Sequence, residues 1–391
     1  MAVGTFAQSI PSGTGRVSAL GGSPFILDAH VDMLRNPAWN NYYRNYAFSD
    51  LNSSIGTDNN FNGHAGVTFN VTKQLNLGMV INKRQDSWLS LSDSVSAPIV
   101  PFMGLIGYSA SKNFHISLAP YVAMWNSKHT GDTNYAYDRS SSSLGANLGF
   151  IYMLKKGWVE GMFKFRMNKY KDETTLGGTT TTQENDGGME FGAGFRGWIY
   201  PAKNSKIVLV PLVGFSMYSL TPKVTSGSTT TTGAEWSWMV IDGGVGLNWP
   251  ITDDIQIAGG VLSYYGTVKS SFTDTTGTYE NKSTGFGAPI FNMAVETRIT
   301  DWITGRLGFT QGVNMRKNEM MVPNQTHEMS WLEPSQSSSI NLGAGFHFGR
   351  FSIDATVSHR WLKQGPYFIS GSNSGNNEDL FGIISASYNF G

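Results

Sequence analysis

The chain has 391 residues, with 28 basic and 28 acidic side chains and no cysteine. Charged residues make up 14%, well below the roughly 25% usual in soluble domains, while glycine (46) and aromatic residues (13%) are abundant. Balanced charge excludes a basic footprint for nucleic acid, missing cysteine excludes disulfides and thiolate metal sites, and no apolar run nears the roughly 18 residues of a membrane helix.

In the opening MAVGTFAQS, Thr5 and Ala7 stand where the small residues of a signal-peptidase site would stand. Residues 1–8 are read as the remnant of an export signal or a flexible terminus. From Gly15 to Trp39 the segment GRVSALGGSPFILDAHVDMLRNPAW has no period of two, yet it is too apolar for a free tail. Residues 9–41 are therefore expected to pack as a plug, or hatch, whose backbone is satisfied by lumen side chains and water. Its candidate contact residues are Phe25, Asp28, Asp32, Arg35, Asn36, Pro37 and Ala38. Asn36-Pro37 is predicted to be a stiff bend, because a residue before proline is biased away from the helical region.

Residues 42–391 carry a recurring unit: an alternating apolar stretch, a short turn, a second such stretch and a long polar loop. The short turns fall at Thr72–Leu75, Ser111–Asn113, Lys155–Gly157, Ala202–Ser205, Ile251–Asp254, Thr300–Asp301 and Gly349–Arg350. The long connections include the tracts Thr179–Thr182, Thr229–Thr232 and Ser270–Ser283, read as loops. Short turns on one side and long loops on the other are the asymmetry of bacterial outer-membrane barrels. The turns predict an all-β, antiparallel transmembrane barrel of 14–16 strands, with 16 counted and the first near Tyr42–Leu51. The stretches approach the about 9–11 residues that span a bilayer, longer than the strands of a soluble sandwich. Aromatics near the short turns, Phe114, Trp158, Tyr200, Trp249, Trp302 and Phe351, are expected to form an interfacial girdle.

A period of two sends alternate side chains to lipid and to lumen. In the stretch from Val159, it places Phe163, Phe165 and Met167 outside and Glu160, Lys164 and Arg166 inside. Extended along the chain, it puts Lys164, Arg166, Glu190, Arg196, Asp242, Glu296, Arg298, Arg306, Asp354 and Arg360 in the lumen. These charges are read either as a paired network that fills the barrel or as arginines that meet an anionic group of a cargo molecule. Other inward sets are apolar: Val208, Val210 and Leu212, then Ala258 and Leu262, then Phe286, Ala288 and Ile290. They suit packing against the plug or a hydrophobic solute equally. Pro120, Pro211 and Pro289 lie inside strand-like stretches and are expected to mark bulges or unpaired wall.

No catalytic or cofactor chemistry is expected. The seven histidines show no ligand spacing, Ser358-His359 puts its two side chains on opposite faces, and no phosphate-loop pattern occurs.

The N-terminal residues Ala19-Leu20-Gly21-Gly22, Phe25, Asp28, Asp32 and Asn36-Pro37-Ala38 resemble the start of the FadL-type outer-membrane channels and the related PorV and PorQ proteins of type IX secretion. The resemblance implies a hatch at the periplasmic end and, in the transport branch, a hydrophobic ligand released sideways into the membrane. Trp39 departs from the glycine usual after this motif. The expected function is passive uptake of a hydrophobic or amphipathic small molecule across the outer membrane of a Gram-negative bacterium, in contact with lipopolysaccharide. The alternative is a secretion-associated barrel that binds protein partners.

Overall fold

The computed structural model describes residues 15–52, 63–84, 98–130, 135–185, 187–202, 205–274, 277–322, 325–333, 339–357 and 381–390. Arg360, Ser358 and residues 1–14 lie outside them. Two short helices, α1 (Gly15–Ala19) and α2 (Ala29–Arg35), and a 3-10 turn at Pro37–Asn41 precede the sheet.

The strands are β1 (Tyr46–Asn52), β2 (His64–Asn70), β3 (Leu75–Arg84), β4 (Ile99–Ser109), β5 (Phe114–His129), β6 (Tyr135–Leu154) and β7 (Gly157–Leu176). Next come β8 (Thr179–Asn185), β9 (Gly188–Ile199), β10 (Val208–Leu220), β11 (Pro222–Ser226), β12 (Thr229–Thr232), β13 (Glu235–Pro250) and β14 (Ile255–Asp274). The last are β15 (Gly277–Arg298), β16 (Ile303–Val322), β17 (Gln325–Glu333), β18 (Ser339–Phe348), β19 (Phe351–Val357) and β20 (Phe381–Asn389). Segments β8 and β9 together line β7, β17 and β18 together line β16, and β10–β11 faces β12–β13 in the same way. The segments thus make a 16-strand antiparallel barrel. Tyr46 of β1 pairs with Thr68 on one side and Asn389 on the other, which closes the sheet into a barrel.

Alternation reads directly in burial. Phe163, Phe165 and Met167 are 42%, 39% and 42% exposed, whereas Glu160, Arg166 and Asn168 between and beside them are buried. Leu118, Val122, Leu148, Phe191, Val245 and Leu307 continue the outer apolar surface around the barrel. A band of that extent is untenable in water and is what lipid contact requires. Tyr108, Tyr152, Trp249, Trp302, Phe348 and Tyr388 face outward near the short turns.

Five expectations are corrected. The threonine tracts are strands that lengthen the hairpins, since β-branched threonine suits a pleated surface and cross-strand pairs such as Thr175–Thr180 (2.9 Å) and Thr225–Thr230 (3.0 Å) bond through their hydroxyls. The first strand begins at Tyr46, because Pro37–Asn41 is a 3-10 turn whose end, at Tyr42, remains helical in backbone angle. Trp158 and Tyr200 do not join the girdle: Trp158 stacks on Trp198 at 5.6 Å and meets Trp39 edge-on inside the barrel, and Tyr200 packs against the apolar cluster that holds Trp198 and Phe25. Phe286 is 41% exposed and faces outward. Ala288 and Pro289 of β15 oppose the single residue Val313 of β16, and this bulge reverses the parity between Phe286 and Ile290. Arg298 lies at the exposed rim, where its Nε donates to Asp254 Oδ1 at 2.6 Å in the turn before β14.

Candidate functional site

The N-terminal segment packs against inward-facing side chains of the strands. Phe25 is fully buried over Gly246 and Gly260, which are cross-strand partners on β13 and β14. A Cβ at either would stand 2.4 Å or 2.8 Å from the ring, so only glycine admits Phe25 there. The Phe25 carbonyl accepts from Asn248 Nδ2 at 2.8 Å, and the Gly21 carbonyl from Asn292 Nδ2 and Thr310 Oγ1, each at 3.2 Å. These bonds satisfy irregular backbone with strand side chains, as an apolar surround demands.

Two ionic clusters join the segment to the strands. In the first, Asp32 Oδ1 accepts from Arg35 Nη2 at 2.6 Å and Arg196 Nη2 at 2.7 Å. Arg196 also donates from Nε to Glu160 Oε1 at 2.5 Å and from Nη1 to the Pro24 carbonyl at 3.1 Å. Glu160 is the hub, because it also accepts from Trp39 Nε1 (2.6 Å), Asn36 Nδ2 (3.0 Å) and Trp198 Nε1 (3.2 Å). Burial raises the Asp32 carboxyl above its ordinary value, against the opposing pull of Arg196 and Arg35. In the second, Arg16 grips Glu296 through Nε (2.9 Å) and Nη2 (3.0 Å) and reaches Asp28 Oδ2 at 3.3 Å. Arg306 bridges Glu296 (2.6 Å) and Asp354 (2.7 Å) behind it. Burial would lower the Arg16 guanidinium, but Glu296, Asp28 and Asp354 outweigh it and raise it.

Asn36 ends α2 in an extended conformation (φ −130°, ψ 102°), and its side chain accepts from Ala38 N at 3.1 Å to start the 3-10 turn. Pro37, at the start of that turn, and Ala38 are buried.

Above the first cluster is a cavity of about 140 Å³. Met162, Leu212, Leu262, Tyr264 and Ile290 form its apolar wall, while Arg35, Glu160, Arg196 and Asp242 supply charge. Val210, also fully buried, packs in the apolar cluster that holds Phe25, Leu262 and Ile290. Farther from the short turns, Glu190 pairs with both Lys164 and Arg166. Beyond them Trp125, Tyr170, Tyr218, Leu220, Trp236 and Trp238 pack together inside the barrel.

The wall is irregular beside this cavity. Pairing of β9 with β10 passes from Leu209–Ile199 to Leu212–Arg196 around Pro211. Pairing of β14 with β15 passes from Leu262–Ile290 to Tyr264–Gly287, leaving Ser263 and Ala288-Pro289 out of register. On the outer face, Gly243, Val245, Val261, Ser263 and Pro289 line a groove that shares Leu262 and Ser263 with the cavity.

Of the predicted residues, Asp32 meets Arg196 directly, Arg35 joins it through Asp32 and Asn36 through Glu160, and Asp28 meets the Glu296–Arg306–Asp354 group through Arg16. Leu212, Leu262, Ile290 and Asp242 meet at the cavity, whereas Phe286 and Arg298 lie outside both groupings. Arg16, Glu160, Trp236 and Trp238 stand outside the predicted site set. Alternation already marks Glu160 and, counted back from Asp242, Trp238 and Trp236 as inward, whereas Arg16 precedes every periodic stretch and carries no such signal.

The fold defines a class: a closed sixteen-strand transmembrane β-barrel. No protein-family model matches the sequence, and no curated protein matches it. Among solved structures, the toluene transporter TodX of Pseudomonas putida is similar over 96% of this chain and 98% of its own, at 10% identity and a TM-score of 0.44. The ferric yersiniabactin uptake receptor FyuA of Yersinia pestis is similar over 80% of this chain and 60% of its own, at 9% identity and a TM-score of 0.41. The ferric citrate transporter FecA is similar over 80% and 64%, at 9% identity and 0.40.

Proposed function

We propose that the chain is a passive outer-membrane channel for a small hydrophobic or amphipathic molecule, with the N-terminal segment as a plug beneath the binding cavity. The observation that carries this reading is the cavity itself. Its volume, about 140 Å³, is close to the about 150 Å³ of an apolar cavity that takes up benzene. Its mixed wall suits a compact apolar body with at most one polar end. The solute enters past the inward tryptophans and tyrosines, whose faces favour apolar and aromatic groups, and rests against Leu262 and Ile290. The ionic clusters close the way toward the short turns, so the exit is sideways, at Leu262-Ser263, where cavity and outer groove share a wall. A secretion-associated barrel would need only a filled lumen, and the cavity favours transport over it.

The test is initial uptake of radiolabelled benzene by cells carrying the barrel, compared with Leu262→Trp and Ile290→Trp, which fill the cavity. Uptake should fall at least about ten-fold, the equivalent of about 1.4 kcal/mol, while Phe286→Trp on the outer face leaves it unchanged. Undiminished uptake by both cavity variants, folded by heat-modifiable mobility, would remove the cavity from the pathway.

A further inference from the structure

Three side chains that no sequence motif joins meet where the N-terminal segment touches the first two strands. His30 comes from α2, Asp50 from β1 and His64 from β2, and they are 3%, 2% and 8% exposed. Asp50 and His64 are register partners, so their side chains leave the sheet on the same, inward face. His30 reaches them from within, its Nε2 2.6 Å from His64 Nε2. One ligand atom from each of the three lies within 4.8 Å of the others.

Packing alone does not account for this arrangement. The two ring nitrogens are held by a single shared proton, and in its place both can turn a lone pair to one ion. Asp50 Oδ1 is buried and has no hydrogen-bond partner, a state that costs on the order of 1–3 kcal/mol or more. The site is also shaped: Phe48 lies 4.1 Å from the His30 ring and 6.4 Å from the His64 ring, centroid to centroid. Phe48 can lie there because its partner across the strands is Gly66, where a Cβ would stand 2.3 Å from the ring. Lys83 on β3 and Asp28 before α2 are the other charged groups that act on the cluster.

We propose that His30 Nε2, His64 Nε2 and a carboxylate oxygen of Asp50 bind one divalent transition-metal ion of the zinc class. Two imidazoles and one carboxylate form a recognised three-ligand zinc set, with a fourth position left for water. Zinc–nitrogen bonds of about 2.0–2.1 Å at tetrahedral angles hold two nitrogens roughly 3.3 Å apart, so the rings must part by less than about 1 Å. Nitrogen donors disfavour calcium and magnesium, which take oxygen ligands. The ion would give the Asp50 oxygen its missing partner. It would also pin α2 to β1 and β2, beside the β1–β20 pairing that closes the barrel. Binding to the folded chain alone stabilises it by mass action.

The experiment uses the full chain in detergent, stripped with a chelator and then titrated with Co(II), whose visible absorption reports low-coordinate nitrogen and oxygen ligation. One equivalent should bind, Zn(II) should displace it, and Mg(II) should not. Asp50→Asn, close in shape to the original, and His64→Asn should each weaken Co(II) at least about ten-fold, while His129→Asn changes nothing. The zinc-loaded chain should unfold at a higher temperature than the stripped chain, a difference Asp50→Asn abolishes. Variants are scored only if heat-modifiable mobility shows a folded barrel, and Asp50→Asn and His64→Asn serve as independent checks. No stoichiometric Co(II) binding by the full chain, or binding that survives both substitutions, would overturn the proposal, and equal displacement by Mg(II) would overturn the metal class.

Discussion

On β7, Phe163, Phe165 and Met167 face outward, and Glu160, Arg166 and Asn168 face inward and are buried. The outer three each need only be apolar, since lipid meets any such side chain equally well. The inner ones are specified by partners far away in sequence: Glu160 meets Asn36 and Trp39 from before the barrel and Arg196 from β9. One face is defined by its solvent and the other by its contacts. A substitution outside should therefore be judged by polarity and depth, and one inside by which partner it leaves alone.

Glu160→Ala gives the largest expected effect. It leaves Arg196, Arg35 and two indole N–H groups facing a missing carboxylate, and removing one member of a buried ionic group costs about 3–5 kcal/mol. Urea unfolding in detergent should show this loss, with Glu160→Gln intermediate because the amide oxygen still accepts. A change below about 1 kcal/mol would mean that water replaces the carboxylate freely and that the inner face is as tolerant as the outer. Next comes Phe163→Lys, expected to cost about 2–4 kcal/mol where the side chain meets lipid near the midplane. Ser216→Lys, which points into the cavity, should cost distinctly less in the same folding assay. Equal penalties would show that depth and hydration do not differ between the two faces.

The outer face was almost fully legible in the sequence, because a period of two needs no knowledge of a partner. It failed at Phe286, where Ala288-Pro289 inserts a residue and reverses parity, although Pro289 itself signalled an irregularity. The strand number followed from the short turns, and the extended backbone at Asn36 followed from Pro37. The threonine tracts are as polar as loops, and polarity alone hides the strand pairing that threonine's branched side chain favours. At the site, alternation found Leu212, Leu262, Asp242 and Arg196 but could not join them to residues 16–39, which come from a segment without periodicity. The His30–Asp50–His64 group was illegible for the same reason, since its members come from a helix and two strands and share no spacing.

The smallest expected effect separates local from long-range order within the N-terminal segment. Asp28 caps α2 from an extended conformation (φ −143°, ψ 123°), and its Oδ1 accepts from Val31 N at 3.0 Å. Its other oxygen, Oδ2, meets Arg16 Nη1 at 3.3 Å. Replacing a capping aspartate by alanine costs about 0.5–2 kcal/mol, whereas a partly accessible ion pair at that distance contributes under about 1 kcal/mol. Asp28→Asn keeps an oxygen for the cap and removes only the charge, so it should do less harm than Asp28→Ala. Hydrogen exchange read by mass spectrometry should therefore quicken in the peptide carrying Val31 to Leu34, several-fold more for alanine than for asparagine. Exchange in β7 and β14 should stay unchanged, because strand pairing does not depend on that cap. If asparagine and alanine accelerate exchange equally, the ion pair to Arg16 and not the cap holds the start of α2. If the strands quicken together with the helix, segment and barrel unfold as one unit, and the inner face is as cooperative as the wall that encloses it.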